Sequence, residues 1–365
     1  MKRILIMFNH LQVADGVART AITLANALSG LSGVSTTLCP LFRYDKSALS
    51  LVDPRVRVKP VFRFYFRGLV RVLNLFPPRI LHGLLVRERY DIEIGYCMTL
   101  PIRVVSAGAS DGVTRYAWMH GYDSGLKMRR EYYKYDKVIC VSRYSSERLA
   151  AELHGYDDIE YAYNLVDTGK IIESGEEPIE GKYLSMVGRR PILVTVGRLS
   201  PEKGFDRLIR CAGRLKKDGL EFELWIVGGG SQRGMLQALI RESGLEGCVR
   251  LIGPRENPHA YTSKSDLFIC SSYSEGYSTA CTEALVLGVP VISTDVGGAR
   301  EMMEEAECGL VVGNEGDGEL YCAMRGILED FNIVRGWKNT LQRTKGRFSG
   351  ENRIDRLVKA LGLDE

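Results

Sequence analysis

Short runs of β-branched and aliphatic residues alternate along the chain with longer stretches whose apolar positions recur every three or four residues. This alternation predicts a parallel α/β architecture. The first series has a strand expected over 3–8, a helix over 17–28, and strands over 36–41, 92–96, 114–118, 137–141 and 160–162. A second series opens with a strand over 192–196 and a helix near 206–215. It continues with a strand over 223–227, a helix near 234–243, and strands over 249–251 and 267–270. A helix over about 279–287, a strand over 290–293 and a helix beginning near 300 complete it. Residues 169–190 sustain neither period and are expected to link the two series, and 351–363 reads as a terminal helix. The organisation expected is therefore two Rossmann-like domains, 1–168 and 191–345, with a helical tail over 346–365. Ligands of open α/β sheets bind beyond the carboxyl ends of the strands, so a cleft between two such edges is the expected site.

Length and composition agree with this organisation. A chain of 365 residues, 45% hydrophobic and 26% charged, is about two domains of an ordinary globular protein. A net charge of +4 is too mild for a nucleic-acid binder. The nine cysteines are scattered singly, with no CxxC pair, which predicts free thiols in a reducing compartment rather than disulfides or a zinc site. No segment approaches the roughly 20 apolar residues of a membrane span, so a cytoplasmic location is expected.

The segment LFICSSYSEGYSTACTEALVLGVPVISTDVGGARE carries the strongest chemical signal. Glu275 falls in a loop before a helix and Glu283 inside that helix. Eight steps of about 100° leave the two carboxylates ~80° apart, so they are expected to do different jobs. Between them, the backbone N–H groups of Gly276, Tyr277, Ser278 and Thr279 lie near the positive end of a helix, where oxyanions and hydroxyls bind. For either glutamate alone, an ordinary solvent-exposed or helix-capping role is the commoner one.

Taken together these residues resemble glycosyltransferase family 4, whose hallmark is an E-x7-E motif matched by Glu275 and Glu283. The resemblance implies a GT-B fold and a retaining enzyme that takes a sugar from a nucleotide donor, with Glu275 near the sugar and Glu283 on the ribose. In ILVTVGRLSPEKGFDRLI, Arg198 and Lys203 stand where the family places its phosphate ligands, which implies a cationic pair in place of a metal. No D-x-D motif and no His/Cys cluster offers a metal site. His120, at the end of an expected strand, matches the family's histidine near the donor sugar. Gly16 and Arg19 match part of the family's first glycine loop, although Asp15 stands where a first Gly is usual and Ala18 where an acid is. Arg255, in the loop GPRENPH, is a candidate contact to the base. His10, His82, His154 and His259 have no comparable context and read as structural.

The basic residues are unevenly spread. Arg55, Arg57, Lys59, Arg63, Arg67, Arg71, Arg79, Arg87 and Arg89 face a single acid, Glu88, and are interleaved with aromatic and aliphatic residues. If 63–71 is helical, Arg63, Arg67 and Arg71 share a face suited to an anionic membrane surface. The function expected is transfer of a hexose or N-acetylhexosamine from a nucleotide sugar, UDP-linked by preference, to a glycan or lipid-linked acceptor, with no metal cofactor. A GT-B epimerase and a non-catalytic nucleotide-sugar-binding subunit are the alternatives.

Overall fold

The computed structural model describes residues 1–364 apart from 13–15, 43, 63–64, 67 and 122–128. Asp15, Arg63, Arg67, Tyr122 and Asp123 thus lie outside the described residues. The chain divides into two compact units, Met1–Leu165 with Arg353–Glu365, and Val166–Asn352.

The first unit is built on a seven-stranded sheet. Its strands are β1 (Lys2–Phe8), β2 (Val34–Pro40), β3 (Arg57–Val58), β4 (Ile92–Gly95), β5 (Thr114–Met119), β6 (Lys137–Cys140) and β7 (Ile159–Tyr161). They lie in the order β3-β2-β1-β4-β5-β6-β7, and every pairing is parallel. The second unit holds β8 (Ile192–Val196), β9 (Glu223–Val227), β10 (Val249–Gly253), β11 (Leu267–Cys270), β12 (Val291–Thr294) and β13 (Leu310–Val312). Their order is β10-β9-β8-β11-β12-β13, again parallel throughout.

These strands read as continuous apolar runs because helices cover both faces of a parallel sheet. The helix Phe205–Lys217 shows how the packing follows the sequence. Phe205, Leu208, Ile209, Ala212 and Leu215 recur at helical spacing and bury against Leu224, Ile226 and Leu236. Each large apolar side chain buried this way contributes about 1.5–3 kcal/mol.

Two expected boundaries move. Residues 169–190, expected as a linker, belong to the second unit and form the helices Thr168–Glu176 and Gly181–Leu184. The first of these is fastened by Asn257, whose Nδ2 donates to the Ser174 carbonyl at 2.8 Å, and by Lys264, whose Nζ donates to the Gly175 carbonyl at 2.7 Å. The expected tail, 346–365, is not a separate element, because Arg353–Glu365 joins the first unit. There Arg356 Nε donates to the Tyr161 carbonyl at 2.9 Å with its guanidinium 3.4 Å above the Tyr161 ring, and Tyr116 donates to the Leu361 carbonyl at 3.2 Å.

The basic segment also differs from expectation. Tyr65 and Phe66 are not helical, and Gly68, at φ 107°, caps a helix that starts only at Leu69. Arg71 lies in that helix, while the expected face at Arg63 and Arg67 falls outside the described residues. Part of the charge is neutralised locally: Arg55 pairs with Asp53 at 2.8 Å, Arg57 with Glu88 at 3.2 Å, and Lys59 also with Glu88. No helix among the described residues is long and apolar enough to cross a membrane.

Candidate active site

The second sheet reverses its winding between β8 and β11, which is where an open α/β sheet opens a crevice at its carboxyl end. The loop after β8 carries Arg198 and Lys203, and the loop after β11 carries Glu275. Two glycines let these loops approach backbone to backbone. Gly204 adopts φ 61°, and a Cβ there would sit 2.0 Å from the Ser271 carbonyl oxygen. Gly297, at φ 44°, leaves no room for a Cβ against the carbonyls of Glu275 and Gly276. Its neighbour Gly298 then donates its N–H to the Gly276 carbonyl at 2.8 Å, tying the loop after β12 to the one that bears Glu275.

Within this frame Lys203 Nζ meets Glu275 Oε1 at 2.5 Å, and the same oxygen accepts from Ser272 Oγ at 2.8 Å. Burial opposes the charged ammonium, yet the attraction and hydrogen bond of Glu275 outweigh it, and the Lys203 pKa is raised. Both bonds fall on one carboxylate oxygen, so the other can accept from a ligand hydroxyl. Arg198 extends into solvent, three-quarters exposed, with Glu202 Oε1 3.7 Å away. A cation exposed beside a partly buried ion pair is an arrangement that can receive an anion.

The helix that follows runs Thr279–Val286 and is capped by Ser278, whose Oγ accepts from the Cys281 N–H at 3.4 Å. The Ser278 hydroxyl is thus engaged in capping. Tyr277 is buried, and its hydroxyl donates to Glu305 Oε2 at 3.3 Å, so only its backbone can serve a ligand. Together with Gly276 and Thr279 they line the mouth of this helix. A small cavity bordered by Glu275, Ser278, Cys281, Ser293, Val296 and Met302 lies beneath it.

Glu283 is largely buried rather than solvated, and His259 Nε2 lies 3.2 Å from its Oε2. Sequence reasoning had no signal for this histidine. Arg255 is held by Glu180 at 2.7 Å and donates to the Tyr261 hydroxyl at 3.0 Å. Its guanidinium is therefore already occupied, and a base contact would have to share it.

In the first unit, Gly16 opens the helix Gly16–Ser29, and a Cβ there would meet nothing within 4 Å. His120 follows β5, with its Nε2 2.9 Å from the Tyr96 carbonyl and its ring edge-on to Tyr96 at 4.5 Å. Burial pushes its pKa down to about 4, against the opposing pull of that carbonyl. The imidazole is then neutral at pH 7, with Nε2–H donating to Tyr96 and Nδ1 as the accepting nitrogen. Among the described residues, no group of three His, Cys, Asp or Glu side chains could hold a metal ion.

Comparison with known proteins agrees with this geometry. Residues 182–343 match the family model of glycosyl transferases group 1. HepE of Anabaena, solved in complex with UDP and glucose, superposes with a TM-score of 0.76 over 99% of this chain and 100% of its own, at 18% identity. The chain has the GT-B fold, and its match to the group 1 model lies within the second unit. An N-acetylgalactosaminyltransferase of Campylobacter jejuni, named for a diacetylbacillosaminyl-diphospho-undecaprenol substrate, is 34% identical over 181 residues. That match spans 49% of this chain and 47% of the relative, about half of each. The lipopolysaccharide core biosynthesis glycosyltransferase LpsE of Rhizobium meliloti is 27% identical over 354 residues, 96% of this chain and 97% of its own.

Proposed function

We propose that the protein is a retaining glycosyltransferase of family 4 that moves a hexose or N-acetylhexosamine from a nucleotide sugar to a glycan or lipid-linked acceptor. The observation that carries the reading is the Lys203–Glu275 pair with Arg198 on the same loop as Lys203, two cations and a carboxylate beyond the carboxyl ends of adjacent strands. In this reading Arg198 and Lys203 hold the donor diphosphate, Glu275 the sugar and Glu283 the ribose. The family resemblance gives Gly16 and His120 of the first unit roles toward the donor, and in the second unit the helix mouth at Gly276–Thr279 borders it.

The reaction needs no metal on this reading, because two cations meet the charge that grows on the leaving diphosphate. The bond from the anomeric carbon to the phosphate oxygen breaks while the acceptor oxygen bonds the same carbon on the same face. The departing phosphate oxygen takes the acceptor's proton. A UDP-linked donor is supported by the nucleotide bound to HepE, and a lipid-linked acceptor by the name of the Campylobacter relative. The test is to incubate the purified chain singly with UDP- and GDP-sugars. One of them is expected to raise the melting temperature and to be hydrolysed slowly. If none does either, the donor reading fails.

An anionic membrane surface, with the protein on the cytoplasmic face, is part of the proposal, and within the expected segment 55–89 it centres on an apolar ridge. The helices Leu69–Leu73 and Pro78–Leu85 turn Leu69, Leu73 and Leu81 inward. They leave Val72, Leu75, Phe76, Ile80 and Leu84 exposed, Leu75 by 82%. Arg71 and Arg79 flank this apolar ridge. Arg103 braces its turn, donating to the carbonyls of Asn74 at 3.0 Å and Phe76 at 3.2 Å. Exposed apolar side chains with a basic rim suit the interface of an anionic bilayer. The wild-type chain is expected to float with phosphatidylglycerol liposomes. A variant with Leu75→Ser, Phe76→Ser and Ile80→Ser should remain at the bottom of the gradient. Equal flotation of both would remove the ridge from the reading.

A further inference from the structure

His259 begins the short helix His259–Ser263, far from Glu283 in sequence, yet its Nε2 lies 3.2 Å from Glu283 Oε2. Both side chains are close to nine-tenths buried, and the contact is too poorly aligned to count as a hydrogen bond, so Nε2 has no partner in line. The backbone behind His259 is held firmly. Asn257 Oδ1 accepts from the Ala260 N–H at 3.3 Å, and Ser263 Oγ donates to the Gly175 carbonyl at 2.5 Å. A buried histidine against a buried carboxylate is a poor stabiliser, since well-packed apolar residues of similar volume do as well. It is useful where the carboxylate must present one orientation to a ligand, as with the outer partners that orient metal-binding side chains.

We propose that His259 is a positioning residue for the nucleotide. Packed 3.2 Å from one oxygen of Glu283, it limits the turn of the carboxylate, which then faces the ribose in the orientation that accepts from both vicinal hydroxyls. The inference rests on the assignment of Glu283 to the ribose made above. Its consequence is specific: the preference of the site for ribonucleotides over 2′-deoxyribonucleotides depends on His259, although His259 itself contacts no ligand.

The test measures dissociation constants of the full chain for UDP, GDP and their 2′-deoxy forms by calorimetry. The better-bound ribonucleotide is expected to bind about tenfold more tightly than its deoxy form, the size of a lost hydrogen bond to a charged group. His259→Leu should weaken the ribonucleotide by about the same factor and the deoxy form, which keeps one of the two hydroxyls, distinctly less, while kcat at saturating donor stays within about twofold. His259→Gln, which keeps an N–H near the same point, should recover most of the preference. In a Glu283→Ala background His259→Leu should add nothing. The inference is overturned if His259→Leu weakens both nucleotide forms equally, if it leaves the ribonucleotide unaffected, or if its effect persists without Glu283. Absence of any nucleotide binding by the wild-type chain would instead take down the donor reading, and His259's role with it.

Discussion

Lys203→Ala is expected to lower kcat at saturating donor by about 10²–10³-fold, the usual cost of removing one preorganised charge from a developing anion. The ammonium is poised for this work before any donor arrives. It is held 2.5 Å from Glu275 in a partly buried setting and stays charged because that carboxylate outweighs the cost of burial. The same substitution strands Glu275 with only the Ser272 hydroxyl on that oxygen. A fall in folding stability of about 2–3 kcal/mol should accompany the kinetic loss, somewhat less than for a fully buried pair. Arg198→Ala separates the two effects. Its side chain is exposed, so turnover should fall while the urea midpoint hardly moves. Full turnover by either variant at saturating donor would remove that residue from the leaving-group site.

Glu275→Ala and Glu283→Ala are expected to fail differently. Loss of Glu275 should appear chiefly in kcat, by about 10²-fold, because it removes the proposed sugar contact and frees Lys203 from its tether. Loss of Glu283 should appear chiefly in donor affinity, by about 10–100-fold, since hydrogen bonds to a charged group contribute about 1.5–3 kcal/mol. The structure gives this division a physical basis. Glu275 belongs to a loop pinned by Lys203, Ser272 and the Gly297 turn, whereas Glu283 lies within a helix and leans on His259. Steady-state kinetics on both variants, with kcat and KM resolved, is the measurement. Equal effects on both parameters in both variants would show that the two carboxylates act as one unit.

Much of this arrangement is legible in the sequence, for identifiable reasons. The strands of a parallel sheet are apolar on both faces, so runs such as ILVTV and LFIC declare themselves. Glu275, Arg198 and Lys203 are legible because they sit in glycine-marked loops at strand ends. What escapes is whatever depends on contacts distant in sequence. The strands Arg57–Val58 and Leu310–Val312 are two and three residues long at sheet edges, too short to show a period. His259 could not be found, because the group that gives it a role lies on another helix. Where the helix of the basic segment begins is set by a local signal that the sequence contains. Gly68 takes a positive φ that favours glycine and caps the helix that begins at Leu69.

The return of the chain's end to the first unit bears on how such enzymes could be recombined. Every residue assigned here to diphosphate, sugar carboxylate and ribose lies between Val166 and Asn352, while the final segment folds with the beginning. A chimera that exchanges the first unit therefore needs two crossovers, near 165 and near 352. A single splice at the midpoint would separate Arg353 from the Asn164 carbonyl it binds at 3.2 Å, and leave Arg356 over a foreign residue in place of Tyr161. Insertion of one half into the other, rather than joining end to end, is the grammar by which this chain can exchange parts.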